Sequence, residues 1–278
     1  MSSSLSWEEH WSSLRKSIVS DLLQQHYAIV DNFLPNHSAH HYDCVMRLRR
    51  DQVMEREVSY MEDEETGQMT DILHSDPFYT VCLNPEKVEE VGCGEHADRK
   101  VDAQTLLDAV TRIGTFFRRV MSEDLLMQQE SNSNEEIVNS YPFYNKIAVC
   151  EDFGNFLPCH FDNDGSDTRK LTIVYYTTPN VTRNWNGGDL KVFKPSPKLY
   201  STPEFVQVEP QFNRAVIFYS DTVVHEVSAT FPACTLLHDN KMTPPRTTIT
   251  TWISCNDPSR INEDKLLQQR QWMKFFSQ

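Results

Sequence analysis

RTTITTWI, residues 246–253, is the stretch that most constrains the fold, because its alternation is typical of a β-strand. Successive side chains of a strand point to opposite faces, so Arg246, Thr248, Thr250 and Trp252 share one face. A buried guanidinium is costly unless it meets an anion, and its planar fork suits a carboxylate. An arginine at a strand start is by itself more often a surface residue. Because Arg246 stands downstream of His160-Phe161-Asp162 and of His225, we expect it to bind an anion at the mouth of a barrel.

Short β-prone runs, broken by Pro, Gly and Asn, fill much of the chain ahead of this strand. Several short strands separated by turn signals predict a sandwich or a barrel. We predict strands over 27–31, 145–150, 169–178, 189–194, 204–208, 214–219 and 246–254.

Apolar residues at three- and four-residue intervals indicate helices that flank the barrel. The fold class is therefore mainly β with flanking helices. The acidic segment 55–70 is compatible with a hairpin or with a mobile loop. The predicted helices are 7–24, 37–50, 102–126, with Asp102 as its N-cap, and 262–276.

His160 and Asp162, in HFDND (160–164), place an imidazole and a carboxylate two residues apart. If this segment is extended, both side chains lie on one face and can reach one metal ion. An isolated His-x-Asp is more often solvated or hydrogen-bonded than ligating. With His225 as a third ligand, it would form the two-histidine, one-carboxylate set that holds non-haem Fe(II) and leaves other positions open.

Charge and cysteine content argue against several classes of protein. The chain has 26 basic and 40 acidic residues, a formal net charge of -14, so it lacks the charge expected of a nucleic-acid-binding protein. Its seven cysteines are scattered and form no CxxC, which argues against a disulfide framework and a structural zinc site. No segment has the pattern of a secretion signal or a transmembrane span. We expect a cytosolic or nuclear protein without nucleic-acid or membrane partners.

Several motifs taken together resemble the Fe(II)- and 2-oxoglutarate-dependent oxygenases. Within these, they are most similar to prolyl 4-hydroxylases of the hypoxia-inducible-factor prolyl hydroxylase type. The motifs are HFDND (160–164), RKLTIVYYT (169–177), WNGGDLKVF (185–193), SDTVVHEV (220–227) and RTTITTWI (246–253).

The resemblance implies a double-stranded β-helix, the jelly-roll or cupin-like barrel. The metal- and cosubstrate-binding core would span 145–254 within an oxygenase domain at 27–256. An N-terminal helical extension, 1–26, would precede that domain, and a C-terminal helix, 257–278, would follow it.

The resemblance also implies roles for single residues. His160, Asp162 and His225 would hold Fe(II), while Arg246, assisted by Tyr176, would bind the C5 carboxylate of 2-oxoglutarate. From its own sequence context, Tyr176 is equally compatible with an amphipathic tyrosine that has a solvated hydroxyl. The residues that would line the cosubstrate pocket are Leu190, Val227, Thr248 and Trp252.

The implied reaction hydroxylates a prolyl residue at C4 in a protein or peptide, which Arg169 would help to hold at the pocket entrance. Its implied cofactors are Fe(II), 2-oxoglutarate and O2, with ascorbate as a reductant, and its co-products are succinate and CO2. One alternative is an oxygenase acting on another peptide residue or a small molecule. Another is a metal-free barrel serving as a binding module, which the complete ligand set disfavours. The sequence predicts no particular oligomeric state.

Two features depart from the family pattern. Cys150 stands ten residues before the first histidine ligand, where the hypoxia-type enzymes carry a tyrosine. The segment 228–245 is longer than usual and forms a predicted insertion at the barrel rim. We expect these features to alter cosubstrate binding or substrate choice.

Overall fold

The chain consists mainly of antiparallel strands with helices on one side. A computed structural model describes residues 6–35, 38–57, 59–62, 69–72, 78–93, 97–125, 142–151, 154, 156–163, 165, 167–179, 185–194, 204–232 and 245–255. The helices are α1 (Trp7–Gln25), α2 (Ser38–Arg50), α3 (Pro85–Val91) and α4 (Ala97–Arg119), which continues as a π-helical segment, Val120–Leu125. The strands are β1 (Tyr27–Val30), β2 (Glu55–Arg56), β3 (Ser59–Glu62), β4 (Met69–Ile72), β5 (Phe78–Val81), β6 (Phe143–Cys150), β7 (Leu157–His160), β8 (Arg169–Tyr176), β9 (Trp185–Gly187), β10 (Leu190–Phe193), β11 (Phe205–Val208), β12 (Ala215–Tyr219), β13 (His225–Val227), β14 (Thr230–Pro232) and β15 (Arg246–Ser254).

Two sheets form the barrel. The major sheet has seven strands in the order β1-β12-β8-β15-β6-β5-β2, and the minor sheet has four in the order β11-β10-β13-β7. Two further antiparallel pairs are β9 with β14 and β3 with β4. The arrangement is the double-stranded β-helix that the sequence motifs predict.

The major sheet has two buried faces of different character because its side chains alternate. On the outer face, Ile249 and Ile253 of β15 join an apolar core that includes Phe117 of α4. On the inner face, Tyr176 and other apolar side chains pack against those of the minor sheet in a second cluster. The second cluster consists of Tyr27, Tyr176, Leu190, Val192, Val208, Val216, Phe218, Val223 and Val227. The inner face is therefore covered by the minor sheet, and the outer face by the helices.

The predicted strands agree with the observed ones to within two residues at either end. The acidic segment 55–70 contains β2, β3 and the start of β4, and β3 and β4 form an antiparallel hairpin. The predicted helix 262–276, and residues 233–244 of the predicted insertion, lie outside the described residues.

The prediction that Asp102 is a helix N-cap is wrong. Helix α4 begins at Ala97, so Asp102 lies inside it and is 5% exposed. Its carboxylate accepts two hydrogen bonds from Arg47 of α2, each 2.7 Å long. A capping aspartate and an aspartate in an interhelical ion pair look alike in sequence, because Arg47 is distant along the chain.

No helix among the described residues is both long enough and apolar enough to cross a membrane.

Replacing Asp102 by Asn should lower the free energy of unfolding by about 2 kcal/mol, since the bidentate bond to Arg47 loses its charge. Burial raises the pKa of Asp102, but bonds from Arg47 and Cys44 outweigh it and the net pKa is lowered. This contribution is therefore present above the unfolded pKa of about 3.9 and is lost as the pH falls. Urea unfolding at neutral and acidic pH measures both effects. Asp108→Asn, at an exposed position of the same helix, is the matched control. If both substitutions lowered the free energy of unfolding equally, this role of Asp102 would be contradicted.

Candidate metal centre and cosubstrate pocket

The minor sheet brings two histidines together. His160 ends β7 and His225 begins β13, and the two residues are directly paired across the antiparallel strands. Their imidazole centroids lie 4.2 Å apart. His225 is 5% exposed, whereas the His160 side chain is 34% exposed. One histidine is thus buried, and the other lies at the open side of the site.

Asp162 completes the cluster from a bend. The segment is not extended through residue 162, because β7 ends at His160 and Asp162 lies in a bend. The carboxylate nevertheless returns to the histidines, and its Oδ1 lies 3.6 Å from Nε2 of both His160 and His225. Buried Asn163 holds the bend: its backbone N–H donates to Ser220 O and its side-chain amide to Arg169 O.

Backbone carbonyls orient both imidazoles. Nδ1 of His160 lies 2.7 Å from the carbonyl oxygen of Pro158, and Nδ1 of His225 lies 3.3 Å from that of Val223. Because a carbonyl oxygen only accepts, each neutral ring carries its proton on Nδ1. The lone pair of each Nε2 is then left facing Asp162, as metal ligation requires.

The electrostatics of the cluster favour an anionic carboxylate beside a neutral imidazole. Burial raises the pKa of Asp162, but His225, His160 and the Thr172 hydroxyl together hold it well below its usual range. Burial and the neighbouring His160 lower the pKa of His225 to about 4, against the opposing charge of Asp162. Burial also lowers the pKa of His160, but the bond and charge of Asp162 outweigh it and raise the net value.

These donors fit a non-haem Fe(II) ion. One ligand atom from each of His160, Asp162 and His225 lies within 4.8 Å of the other two. Two imidazole nitrogens and one carboxylate oxygen on one side of a cavity form the ligand set typical of Fe(II) oxygenases. The sequence therefore identifies three residues that the fold does bring together.

Arg246 and Cys150 lie deeper on the inner face of the major sheet. They are paired across β15 and β6, and Nη2 of Arg246 donates to the Cys150 sulfur at 3.1 Å. Arg246 is 6% exposed, and its buried Nε has no hydrogen-bond partner among the residues that the structure describes. A buried guanidinium with an unused donor is a site for an anion.

Two uncharged groups surround this guanidinium. Burial raises the pKa of the Cys150 thiol, although Arg246 opposes the shift. Tyr176 is 1% exposed, and burial raises its pKa to about 12, again against the influence of Arg246. Neither group provides a negative charge at neutral pH, so the positive charge of Arg246 remains available to a carboxylate.

The other residues predicted for the cosubstrate pocket lie on the inner faces of the two sheets. Leu190 and Val227 are paired across β10 and β13 and belong to the inner apolar cluster with Tyr176. Thr248 is the cross-strand partner of Tyr176. Trp252 lies nearer the metal ligands, and its indole N–H donates to Oδ2 of Asp162 at 3.0 Å. Their contacts with a cosubstrate remain a prediction.

Arg169, predicted at the entrance, begins β8 and has a side chain 32% exposed. Its guanidinium lies 5.5 Å from the centroid of the Trp252 ring and is paired with Asp167. Arg169 is therefore at the rim, next to the residue that contacts Asp162.

Sequence reasoning missed Thr172, whose hydroxyl donates to Oδ2 of Asp162 at 2.5 Å. It also missed Ser220, whose Oγ lies 2.8 Å from that of Thr172. The alternation of β8 places Thr172 on the same face as Tyr176, which was the available signal. Ser220 lies 48 positions from Thr172 along the chain, so no sequence signal connected the two residues.

The family comparison agrees with this geometry. Residues 145–254, which contain all three ligands and Arg246, match the model of the 2OG-Fe(II) oxygenase superfamily, where 2OG is 2-oxoglutarate. The match covers the part of the chain that holds the candidate metal centre and Arg246. The barrel strands of this segment and its cluster of candidate metal ligands thus agree with the same family description.

Solved structures similar to the oxygenase include several prolyl hydroxylases. A Trichoplax adhaerens prolyl hydroxylase in complex with a hypoxia-inducible-factor peptide fragment aligns with a TM-score of 0.59 and 18% identity, over 96% of this chain and 97% of that one. A Phytophthora capsici prolyl 4-hydroxylase aligns with a TM-score of 0.58 and 18% identity, over 99% of this chain and 77% of that one. A Pseudomonas putida prolyl-4-hydroxylase aligns with a TM-score of 0.53 and 19% identity, over 87% of this chain and 99% of that one. At these identities, the likeness concerns the fold.

The candidate metal centre predicts that the protein binds one Mn(II) or Fe(II) per chain. His225→Ala should abolish this binding, because the two remaining ligands, His160 and Asp162, cannot hold the ion without the buried third one. Anaerobic titration calorimetry measures stoichiometry and affinity. His40→Ala, which removes an exposed histidine, is the control and should bind like wild type. Metal binding retained by His225→Ala would exclude this site.

Cys150→Asp should weaken 2-oxoglutarate binding to the Mn(II)-loaded oxygenase on the order of 10- to 100-fold, because a carboxylate there would pair with Arg246. Mn(II) affinity should be unchanged. Cys150→Ser keeps a small neutral side chain and should stay within a few-fold of wild type. Unaltered 2-oxoglutarate affinity in Cys150→Asp would contradict the role of Arg246 as carboxylate partner.

Proposed function

We propose that this oxygenase hydroxylates prolyl residues of a protein or peptide at C4, using Fe(II), 2-oxoglutarate and O2. The observation that supports it most is the placement of two sites in one barrel. His160, Asp162 and His225 form a metal-binding cluster at the open end, and Arg246 offers an unused buried donor on the same inner face. A 2-oxo dicarboxylate needs both, a metal for its keto acid and a cation for its distal carboxylate.

In this proposal, His160, Asp162 and His225 hold the iron. Bound Fe(II), with 2-oxoglutarate and O2, supplies the oxidising chemistry that converts C–H to C–OH and releases succinate and CO2. Arg246 binds the distal carboxylate, and Tyr176, which keeps its proton because burial raises its pKa to about 12, donates a hydrogen bond to it. Leu190 and Val227, both buried, exclude water from the cosubstrate.

An open surface beside the metal centre supports a polypeptide substrate. Trp252, whose indole N–H donates to Asp162, lies on the inner face of the major sheet. Its cross-strand partner, Tyr144 of β6, is 58% exposed. Arg169 lies over Trp252 at the same rim. An extended chain has room to lie across these aromatic side chains, whereas a small metabolite needs a closed pocket.

The prolyl specificity rests on fold likeness to prolyl hydroxylases, one of them in complex with a peptide fragment. The second candidate, an oxygenase acting on another residue or a small molecule, is favoured by Cys150. Its thiol occupies one donor of Arg246 and departs from the family pattern. Ascorbate as reductant is carried over from the resemblance.

An array of proline-containing peptides, incubated with wild-type protein, Fe(II), 2-oxoglutarate and ascorbate, tests the proposal. We expect some peptides to gain the mass of one oxygen atom, with 4-hydroxyproline found after hydrolysis. Each such peptide should lose the gain when its proline is replaced by alanine, and Asp162→Ala protein should modify none.

Different results separate the alternatives. Oxygen added to a residue other than proline would assign the second candidate. Substrate-independent consumption of 2-oxoglutarate, with no peptide modified, would point to a small-molecule substrate. If the protein neither binds metal nor turns over 2-oxoglutarate, the remaining interpretation is a non-catalytic barrel that serves as a binding module.

A further inference from the structure

The two oxygens of Asp162 have different surroundings. Oδ1 faces Nε2 of both histidines. Oδ2 points the other way and accepts two hydrogen bonds, from the Thr172 hydroxyl at 2.5 Å and from the Trp252 indole N–H at 3.0 Å. The Asp162 side chain is only 11% exposed, so solvent contributes little to this arrangement.

The direction of each hydrogen bond follows from counting protons. Ionised Asp162 can only accept, so Thr172 gives it its single hydroxyl proton. The 2.8 Å bond between Thr172 and Ser220 must then have Ser220 as donor. Thr172 and Ser220 are both 0% exposed. Ser220 therefore donates to the Thr172 oxygen, and the Thr172 proton goes to Asp162.

Both donors to Oδ2 project from one rung of the major sheet. Thr172 of β8 and Trp252 of β15 are direct cross-strand partners. Ser220 follows β12, the neighbour of β8 on the other side. The two histidines come from the minor sheet. Asp162 is thus the group through which the major sheet contacts the metal-binding cluster.

We propose that Thr172, with Ser220 behind it and Trp252 beside it, is a positioning residue that restricts Asp162 to one ligating oxygen. This inference rests on the proposed function, in which Asp162 holds the metal. With its lone pairs engaged by the two donors, Oδ2 cannot turn toward the metal, and only Oδ1 is presented. A one-oxygen carboxylate ligand leaves more positions open for cosubstrate and O2 than a two-oxygen one.

Isosteric replacement tests the proposal without requiring turnover. Thr172→Val removes the hydroxyl and keeps the shape, and we expect it to weaken Mn(II) binding by about 10- to 100-fold, the usual effect of losing a group that orients a ligand. Thr172→Ser restores the hydroxyl and should return the affinity to within a few-fold of wild type. The visible absorption spectrum of the Co(II)-loaded protein should change in Thr172→Val and not in Thr172→Ser.

A matched control is available on the outer face of β15. Thr251 is also 0% exposed, but within the described part of the chain its hydroxyl has no hydrogen-bond partner. Thr251→Val makes the same chemical change away from the cluster and should leave Mn(II) affinity and the Co(II) spectrum unchanged. Ser220→Ala should weaken Mn(II) binding in the wild-type background but add nothing in the Thr172→Val background, because Ser220 acts through Thr172.

The outcomes distinguish this inference from the proposed function. Wild-type protein that binds no Mn(II) overturns both. Wild-type binding that Thr172→Val leaves intact in affinity and Co(II) spectrum overturns the inference alone. If Thr172→Val does not fold, Trp252→Phe removes the other donor to Oδ2 and replaces it in the test. Additive losses for Ser220→Ala and Thr172→Val would show that Ser220 does not act through Thr172.

Discussion

The buried carboxylate of Asp162 is the constraint on which the arrangement of the two sheets depends. A carboxylate out of water must be paired or hydrogen-bonded, because an isolated buried charge is very costly. Here, one oxygen faces two histidines of the minor sheet and the other accepts bonds from Thr172 and Trp252 of the major sheet. The same group therefore links the two sheets and completes the candidate metal-binding cluster. An apolar residue in its place would leave the histidines and the two donors without their common partner.

Much of the inner face could be predicted because a strand has a period of two. The alternation of RTTITTWI placed Arg246 and Thr248 on one face, and the structure shows them there with Ile249 and Ile253 on the other. The predicted strand limits were close to the observed ones because turn residues lie at both ends of each run. The parts that could not be predicted depend on distant residues. Ser220 bonds to Thr172 across 48 positions, and Asp102 pairs with Arg47 across 55, so neither partner is visible in local sequence.

The convergence of His160 and Asp162 was predicted, but for a different local geometry. The sequence suggested an extended tripeptide, whereas the strand ends at His160 and a bend carries Asp162 back toward the ring. Asn163 fixes that bend through bonds to Ser220 and Arg169. Motif spacing thus identified the ligands, while the backbone that positions them is set by tertiary contacts. Arg246 shows the complementary case, because its strand position was predictable and its contact with Cys150 was not.

The central claim is that one cavity binds a metal through the three-residue cluster and a dicarboxylate through Arg246. A crystal structure of the protein grown anaerobically with Mn(II) and 2-oxoglutarate tests it most directly. We expect the metal to be held by Nε2 of His160, Oδ1 of Asp162 and Nε2 of His225, with the distal carboxylate bonded to Arg246. A metal held by other residues, or a distal carboxylate bound away from Arg246, would contradict it.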